Sequence, residues 1–308
     1  MSTPLLIDTD VALGVRHEGR PRDIDDGFAI VEALNVPDLE LKGVTTVYGN
    51  GPHAEVSRVA SELIDLKAAS VPVVPGAGEA LPQSAAAPVP PANPAVQFLA
   101  EQLRAGPMAV AAIGPLTNIG LLAHHYPDAA RNISQLIIVA GRSKDRVFYI
   151  GTDGPVRDFN FENDVRAAGL VLGCGAPIVL AGFELTSQVA ITAEDLQSIQ
   201  RVGTATAEYF YRNSLAWCEY WTETFPTDAG FHPWDSAAIA WLRHPEYFVT
   251  EQRGYRIRER ALADAAAKET DHWLECDAEF DGPKVTYCTG FAPGGAAAFV
   301  EDVVTTVY

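Results

Sequence analysis

The sequence predicts an α/β protein: one domain spanning 1–308, built on an open, mostly parallel, Rossmann-like sheet with helices on both faces. Two observations carry that prediction. Short apolar runs alternate with helical patterns over the first 200 residues, the order that βα units produce. No internal repeat or linker then cuts the chain. The run 4–8 (PLLID) reads as a buried strand, and 25–35 (DDGFAIVEALN) as a helix with acidic residues at its start. Residues 41–47 read as a strand, 53–68 as a helix and 71–74 as a third strand. The Pro-rich stretch 81–94 is a loop or lid rather than a boundary, because the alternation resumes after it. A strand at 108–113, a helix at 116–125, a strand at 135–140, a helix at 164–173 and a strand at 177–182 follow. The last third is less regular, with helices expected at 204–222, 235–243 and 293–304 and strands at 272–278 and 284–288.

Composition narrows the function classes. With 40 Asp plus Glu against 22 Lys plus Arg, the net charge is −18, which opposes binding to nucleic acid or to anionic membranes. Arg outnumbers Lys 17 to 5, so a compact Arg-lined site remains open. Cys174, Cys218, Cys276 and Cys288 lie far apart, without the close pairs of zinc ribbons or redox dithiols. The start lacks a basic n-region. The uncharged stretches 105–127 and 167–183 are broken by Gly and Pro. A soluble, cytoplasmic protein is expected.

In open α/β sheets, ligands bind at the carboxyl ends of the strands. That rule brings together Asp8 and Asp10, Tyr48 and Asn50, Ile113 and Gly114, Arg142 with the loop to Asp158 and Asn160, and Glu184. Asp8, Asp10, Asp23, Asp25 and Asp26 place five carboxylates within 19 residues. Anions held so close raise one another's pKa unless a cation neutralises them. Oxygen ligands without His or Cys suit Ca²⁺ or Mg²⁺. Read alone, Asp25 and Asp26 are equally good helix caps. Asp235, in HPWDSAAIAWL, is a distant further ligand or another cap.

The order of these pieces resembles the inosine-uridine-preferring nucleoside hydrolase family. IDTD (7–10) and IDD (24–26) look like the two halves of its DxDxxxDD cluster, and TTVYGN (45–50) like its second-strand signature. AAIGPLTNIGLL (111–122) is similar to its GPLTN segment, LIIVAG (136–141) to its fifth strand and DFNFENDVRAA (158–168) to its EFNxxxDPEAA. WDSAAIAWL (234–242) matches its late (H/W)DPxAxAxL. The GPLTN and DTD pieces are weak singly, but the ordered series is specific. The resemblance implies the nucleoside hydrolase fold and a Ca²⁺ ion held by Asp10, Asp26, Asp235 and the carbonyl of Ile113. Asp10 would also be the general base for a calcium-bound water. Asp25, Asn50, Asp158 and Asn160 would grip the ribose. It further implies a small-molecule nucleoside as substrate and a homodimer or homotetramer.

That set suits N-glycoside hydrolysis, in which carboxylates stabilise an oxocarbenium-like sugar. Many members of the family carry His before the late Asp; Trp234 stands there in this chain, as in the purine-preferring branch, and implies stacking on the base. His232 is a candidate acid two residues earlier. Trp221 is a base-pocket candidate with Trp217 and Tyr220, although core packing accounts for any one of them. The chain also departs from the pattern. An insertion at 13–23 bears Arg16, His17, Arg20 and Arg22, either to recognise a 5′-modified nucleoside or, the favoured reading, as a flap with its charges in solvent. Asp158 replaces the usual Glu, and Thr152 and Asp153 stand near the place of a ribose-contacting Asn. No Trp occurs between Tyr48 and Phe98, where the purine branch places a second stacking ring.

The rival enzyme class is a haloacid-dehalogenase-like, Mg²⁺-dependent phosphatase, which LLIDTDVA resembles. Ala12 stands where that class has Thr or Val, and Lys42, Lys67, Lys144, Lys268 and Lys284 offer no partner for a late acidic motif. A non-catalytic nucleoside- or sugar-binding protein is the third reading, opposed by retention of Asp10.

Overall fold

In the computed structural model, which describes residues 2–150, 156–259 and 272–308, the opening apolar run is strand β1 (Thr3–Thr9), buried from Leu5 onward. A small hairpin follows, β2 (Arg16–His17) and β3 (Arg20–Pro21), then helix α1 (Asp25–Asn35). The alternation continues through β4 (Leu39–Thr46), α2 (His53–Leu66), β5 (Val73–Pro75), α3 (Pro94–Ala105), β6 (Met108–Ala112), α4 (Thr117–His125), α5 (Pro127–Ala130) and β7 (Ile133–Ile138). Next come β8 (Arg142–Ser143), α6 (Phe159–Asn163), α7 (Val165–Leu172), β9 (Ile178–Leu180), α8 (Phe183–Thr186), β10 (Ile191–Thr192), α9 (Ala193–Arg201) and α10 (Ala205–Thr224). The chain closes with β11 (Gly230–Phe231), α11 (Ser236–Arg243), β12 (Phe248–Glu259), β13 (His272–Asp277), β14 (Lys284–Phe291) and α12 (Gly295–Thr305).

Ten strands form one sheet in the order β5-β4-β1-β6-β7-β9-β14-β12-β13-β8. Pairing is parallel from β5 through β14. It turns antiparallel on both sides of β12. The expected parallel α/β architecture is therefore present, with a mixed edge. Side-chain alternation divides β1 between two cores: Leu5 and Ile7 pack with Phe28, Val56, Phe210 and Ile239, whereas Leu6 packs with Val96, Leu99, Ile119 and Val171 on the other face. From β1 the chain runs outward to β4 and β5 on one side and then crosses back to β6 on the other. The crevice at that switch point opens beside Asp10.

Besides several elements of two to five residues, three longer ones escape the sequence pattern. Strand β12 buries only Phe248 and Gly254 of its 12 residues, so neither alternation nor an apolar run marks it. Helix α3 starts inside the expected loop's edge: Pro94 takes its first turn and the side chain of Asn93 accepts from Val96 N. Helix α9 opens on a capping box between Thr192 and Asp195. The Pro-rich loop before α3 is tied to α7, where Arg166 donates to the carbonyls of Pro82 and Ala87. Among the described residues, no helix is long and apolar enough to cross a membrane.

Candidate active site

The end of β1 and the start of α1 build the floor of the crevice. Asp25 and Asp26 occupy the first turn of α1, where the helix dipole favours anions, and Asp235 directly precedes α11. Carboxylate oxygens of these three acids lie within 4.8 Å of one another. Asp235 N donates to Asp25 Oδ2 at 3.0 Å, and Asp10 N to Asp26 Oδ1 at 3.2 Å. Thr9 Oγ1 donates to the same Asp26 oxygen. Asn50 fixes Asp10 by donating its backbone N–H to Oδ2 at 2.7 Å. The preceding Gly49 permits this approach, since a Cβ there would lie 1.9 Å from Asp10 Oδ2.

These acids are strongly perturbed. Burial, reinforced by repulsion from their neighbours, pushes Asp10, Asp25 and Asp235 well above the usual carboxylate range. Asp26 is pushed up to about 7, first by burial and then by Asp25. Burial likewise raises Asp8 to about 7, against hydrogen bonds from Thr45 and Asn118. No Lys or Arg figures among the perturbing groups of these five acids. Asp8 Oδ2 and Asp10 Oδ1 are buried without a hydrogen-bond partner among the described residues. Orphaned carboxylate oxygens on an anionic floor fit a hard divalent cation. Asp25 belongs to the tight triple, and Asp10 adjoins it through Asp26.

Above the floor lies a cavity of about 520 Å³, whose lining includes Asn50, Ile113, Asp158 and Asn160. Asn160 Nδ2 donates to the carbonyls of Ile113 and Val139, each at 3.2 Å. A carbonyl oxygen has a second lone pair, so the contact leaves Ile113 able to accept again. Asp158 Oδ2 accepts from Gly141 N at 2.8 Å. Burial raises its pKa to about 7, opposed by the Arg142 charge.

One side of the cavity is aromatic. Trp217, Tyr220 and Trp221 of α10 line it together with Trp234 and Phe183. Phe148, Phe183 and Trp234 form a column, with centroid separations of 4.3 and 5.1 Å and interplanar angles of 11° and 17°. The column continues into the scaffold, where the Arg142 guanidinium lies 4.2 Å from the ring centroids of both Phe148 and Trp273.

Asp10, Asp25, Asp26, Asp235, Ile113, Asn50, Asp158, Asn160, Trp221 and Trp234 thus converge on one crevice. His232 does not line it. Its Nδ1 lies 2.6 Å from the Val189 carbonyl and its Nε2 3.1 Å from Asp228 Oδ2, which also accepts from Trp221 Nε1 at 3.0 Å. His232 thus sits behind the aromatic side, between the Val189 carbonyl and Asp228. Other groups expected at the strand ends also serve the scaffold. Tyr48 donates to the Asn163 carbonyl, Arg142 pairs with buried Glu162, and Glu184 accepts from Ser143. Phe183, next to Glu184 just beyond β9, lines the cavity instead, and the strand-end rule could have found it. Arg20, Arg22 and Arg157 also reach the lining; the insertion's basic content was the signal for the first two. Thr152, Asp153 and Lys268 lie outside the described residues.

Fold and site together define an α/β enzyme with an acidic, cation-fitting floor at the carboxyl edge of its sheet. A family profile described as inosine-uridine preferring nucleoside hydrolase matches residues 5–289. The chain is 30% identical over 298 residues to the pyrimidine-specific ribonucleoside hydrolase RihA of Salmonella enteritidis PT4, across 89% of this chain and 90% of that protein. Its fold matches a purine-preferring ribonucleoside hydrolase from Gardnerella vaginalis with TM-score 0.80 at 20% identity, covering 99% of this chain and 98% of the other. A plant nucleoside hydrolase, PpNRh1, matches with TM-score 0.78 at 21% identity over 99% of both chains. The chain belongs to the inosine-uridine preferring nucleoside hydrolase family. The phosphatase alternative is not favoured. Asp8, the nucleophile it would need, has its Oδ1 taken by Thr45 and Asn118 at 2.6 and 2.8 Å and is fully buried.

Proposed function

We propose that the protein hydrolyses the N-glycosidic bond of ribonucleosides in a calcium-dependent reaction and prefers purine nucleosides. The observation that carries this reading is the meeting of Asp10, Asp25, Asp26 and Asp235, with a buried and unpartnered Asp10 oxygen, beneath an aromatic wall. Asp10, Asp26, Asp235 and the Ile113 carbonyl would hold calcium, which supplies charge neutralisation and a lowered pKa for water. Asp10 accepts the proton of the attacking water. Asp25, Asn50, Asp158 and Asn160 hold the ribose hydroxyls, and nearby carboxylates favour the cationic sugar of the transition state. Trp234, its ring plane set by Phe183, stacks on the base. Cytoplasmic location and assembly as a homodimer or homotetramer complete the proposal and rest on the family alone.

A pyrimidine preference is the second reading, favoured by the name of the 30%-identical relative. Steady-state kinetics on inosine, adenosine, guanosine, uridine and cytidine separate the two. Purine nucleosides are expected to give the higher kcat/KM, with free base and ribose as products. A higher kcat/KM for uridine and cytidine reverses the base assignment. Failure to release ribose from any of the five removes the reading altogether.

A further inference from the structure

Cleaving an N-glycosidic bond leaves the bonding electron pair on the departing base, and a cation or an acid must meet that charge. Trp234 has no proton to give near neutral pH, and His232 is held by Val189 and Asp228. Positive charge at the cavity comes instead from Arg20 and Arg22 of the insertion and from Arg157. We propose that Arg22 stabilises the leaving base, donating charged hydrogen bonds to it as the C1′–N bond breaks. This inference rests on the nucleoside-hydrolysis reading above.

The hairpin is docked, not loose. Arg22 N donates to the Val15 carbonyl at 3.0 Å, which closes the insertion on itself. Gly14, at φ +77°, lets its base approach α10 so closely that a Cβ would stand 2.4 Å from Asn213 Oδ1. The insertion thus lies along the helix that supplies Trp217, Tyr220 and Trp221, the side on which the base stacks. Arg22 lines the same cavity as these rings, and its side chain is only 16% exposed. Nη2 is paired with exposed Glu18 at 2.8 Å, whereas Nε is buried without a partner among the described residues. A buried, unmatched guanidinium N–H has a strong demand for an acceptor. The other cavity arginines are less suited: Arg157 Nε is engaged by Glu162 at 3.0 Å, and Arg20 is exposed.

Guanidinium stays protonated throughout, so Arg22 offers charge and hydrogen bonds rather than a proton. Water oxygen bonds to C1′, the C1′–N electrons pass to the base, and Asp10 takes the water's proton. That proton returns through solvent to the base anion. Nucleoside and water become ribose and free base, with no further reactant.

The test compares the best nucleoside with p-nitrophenyl β-D-ribofuranoside, whose leaving phenolate needs little help. For Arg22→Gln we expect kcat on the nucleoside to fall roughly 10²-fold with KM nearly unchanged. The loss on the nitrophenyl riboside should be at least about tenfold smaller, and Arg22→Lys should recover part of the nucleoside rate. The riboside also reports whether each variant is folded. Equal losses on both substrates would make Arg22 a shaping residue, and no loss on either would remove it from the reaction. Both results overturn the inference while leaving nucleoside hydrolysis intact. Wild-type protein inert toward both substrates is the separate signature that the underlying reading has failed.

Discussion

The floor and the wall of the cavity are built in opposite ways. The floor comes from a strand end, a helix start and the turn before α11, and its side chains are almost all carboxylates held by backbone N–H groups. The wall comes from α10, the hairpin and the segments around Phe148, Phe183 and Trp234, and its contacts are ring on ring. Backbone hydrogen bonds fix acids to a fraction of an ångström, whereas stacked rings can slide or be exchanged at small cost. Chemistry common to all ribonucleosides belongs on the first surface. Choice among bases belongs on the second.

Breaking the floor should have the largest effect. Asp10→Asn keeps the side chain's size and removes the proposed base, and kcat should fall by about 10³ to 10⁴ on purine and pyrimidine nucleosides alike. A loss confined to one base class would place Asp10 in recognition. An intermediate effect is expected at the wall. Trp234→Ala should cut kcat/KM for purine nucleosides by about 10- to 100-fold, the scale of one base–aromatic stack. Pyrimidine nucleosides should suffer less, and an unchanged base profile would take Trp234 out of specificity.

The smallest effect sharpens the comparison through pH. Asp8 and Asp26 titrate near 7 in the folded chain, because burial disfavours their ionised forms. In the unfolded chain they titrate near the ordinary value of about 4. Between these values the folded state holds more protons, so stability falls as pH rises through that window. Chelator-treated protein should therefore melt a few degrees higher at about pH 5.5 than at about pH 8. Added calcium should raise Tm more at the higher pH, where the acids are ionised. A Tm that climbs with pH in chelator, or the same calcium increment at both values, would contradict a cation-seeking floor.

This contrast also explains what could be read from the chain. Helix α1 was legible to the residue, since Asp25 and Asp26 mark its start and apolar spacing its length. Asp10, Asn50, Ile113 and Asp235 were found because strand ends face the crevice and because the ordered motifs resemble a family. Strand β12 was not, because only Phe248 and Gly254 of its 12 residues are buried and the rest show no apolar alternation. The surroundings of His232 show a second limit: proximity in sequence to Trp234 says nothing of where an imidazole points, and one of its two partners, Val189, lies 43 residues away. Phe148 and Phe183 were missed for the related reason that a phenylalanine in a cavity wall is indistinguishable in sequence from one in a core.

The two ends of the anionic set have a consequence for biogenesis. Asp10 leaves the ribosome early and Asp235 late, and α11 must dock on α1 before Asp235 N can reach Asp25. A nascent chain that ends before α11 has no third arm for the triple, so the three acids can offer a joint cation site only after α11 has docked. An ion held by all three acids would therefore act as a stopwatch for folding, silent until the polypeptide has closed on itself.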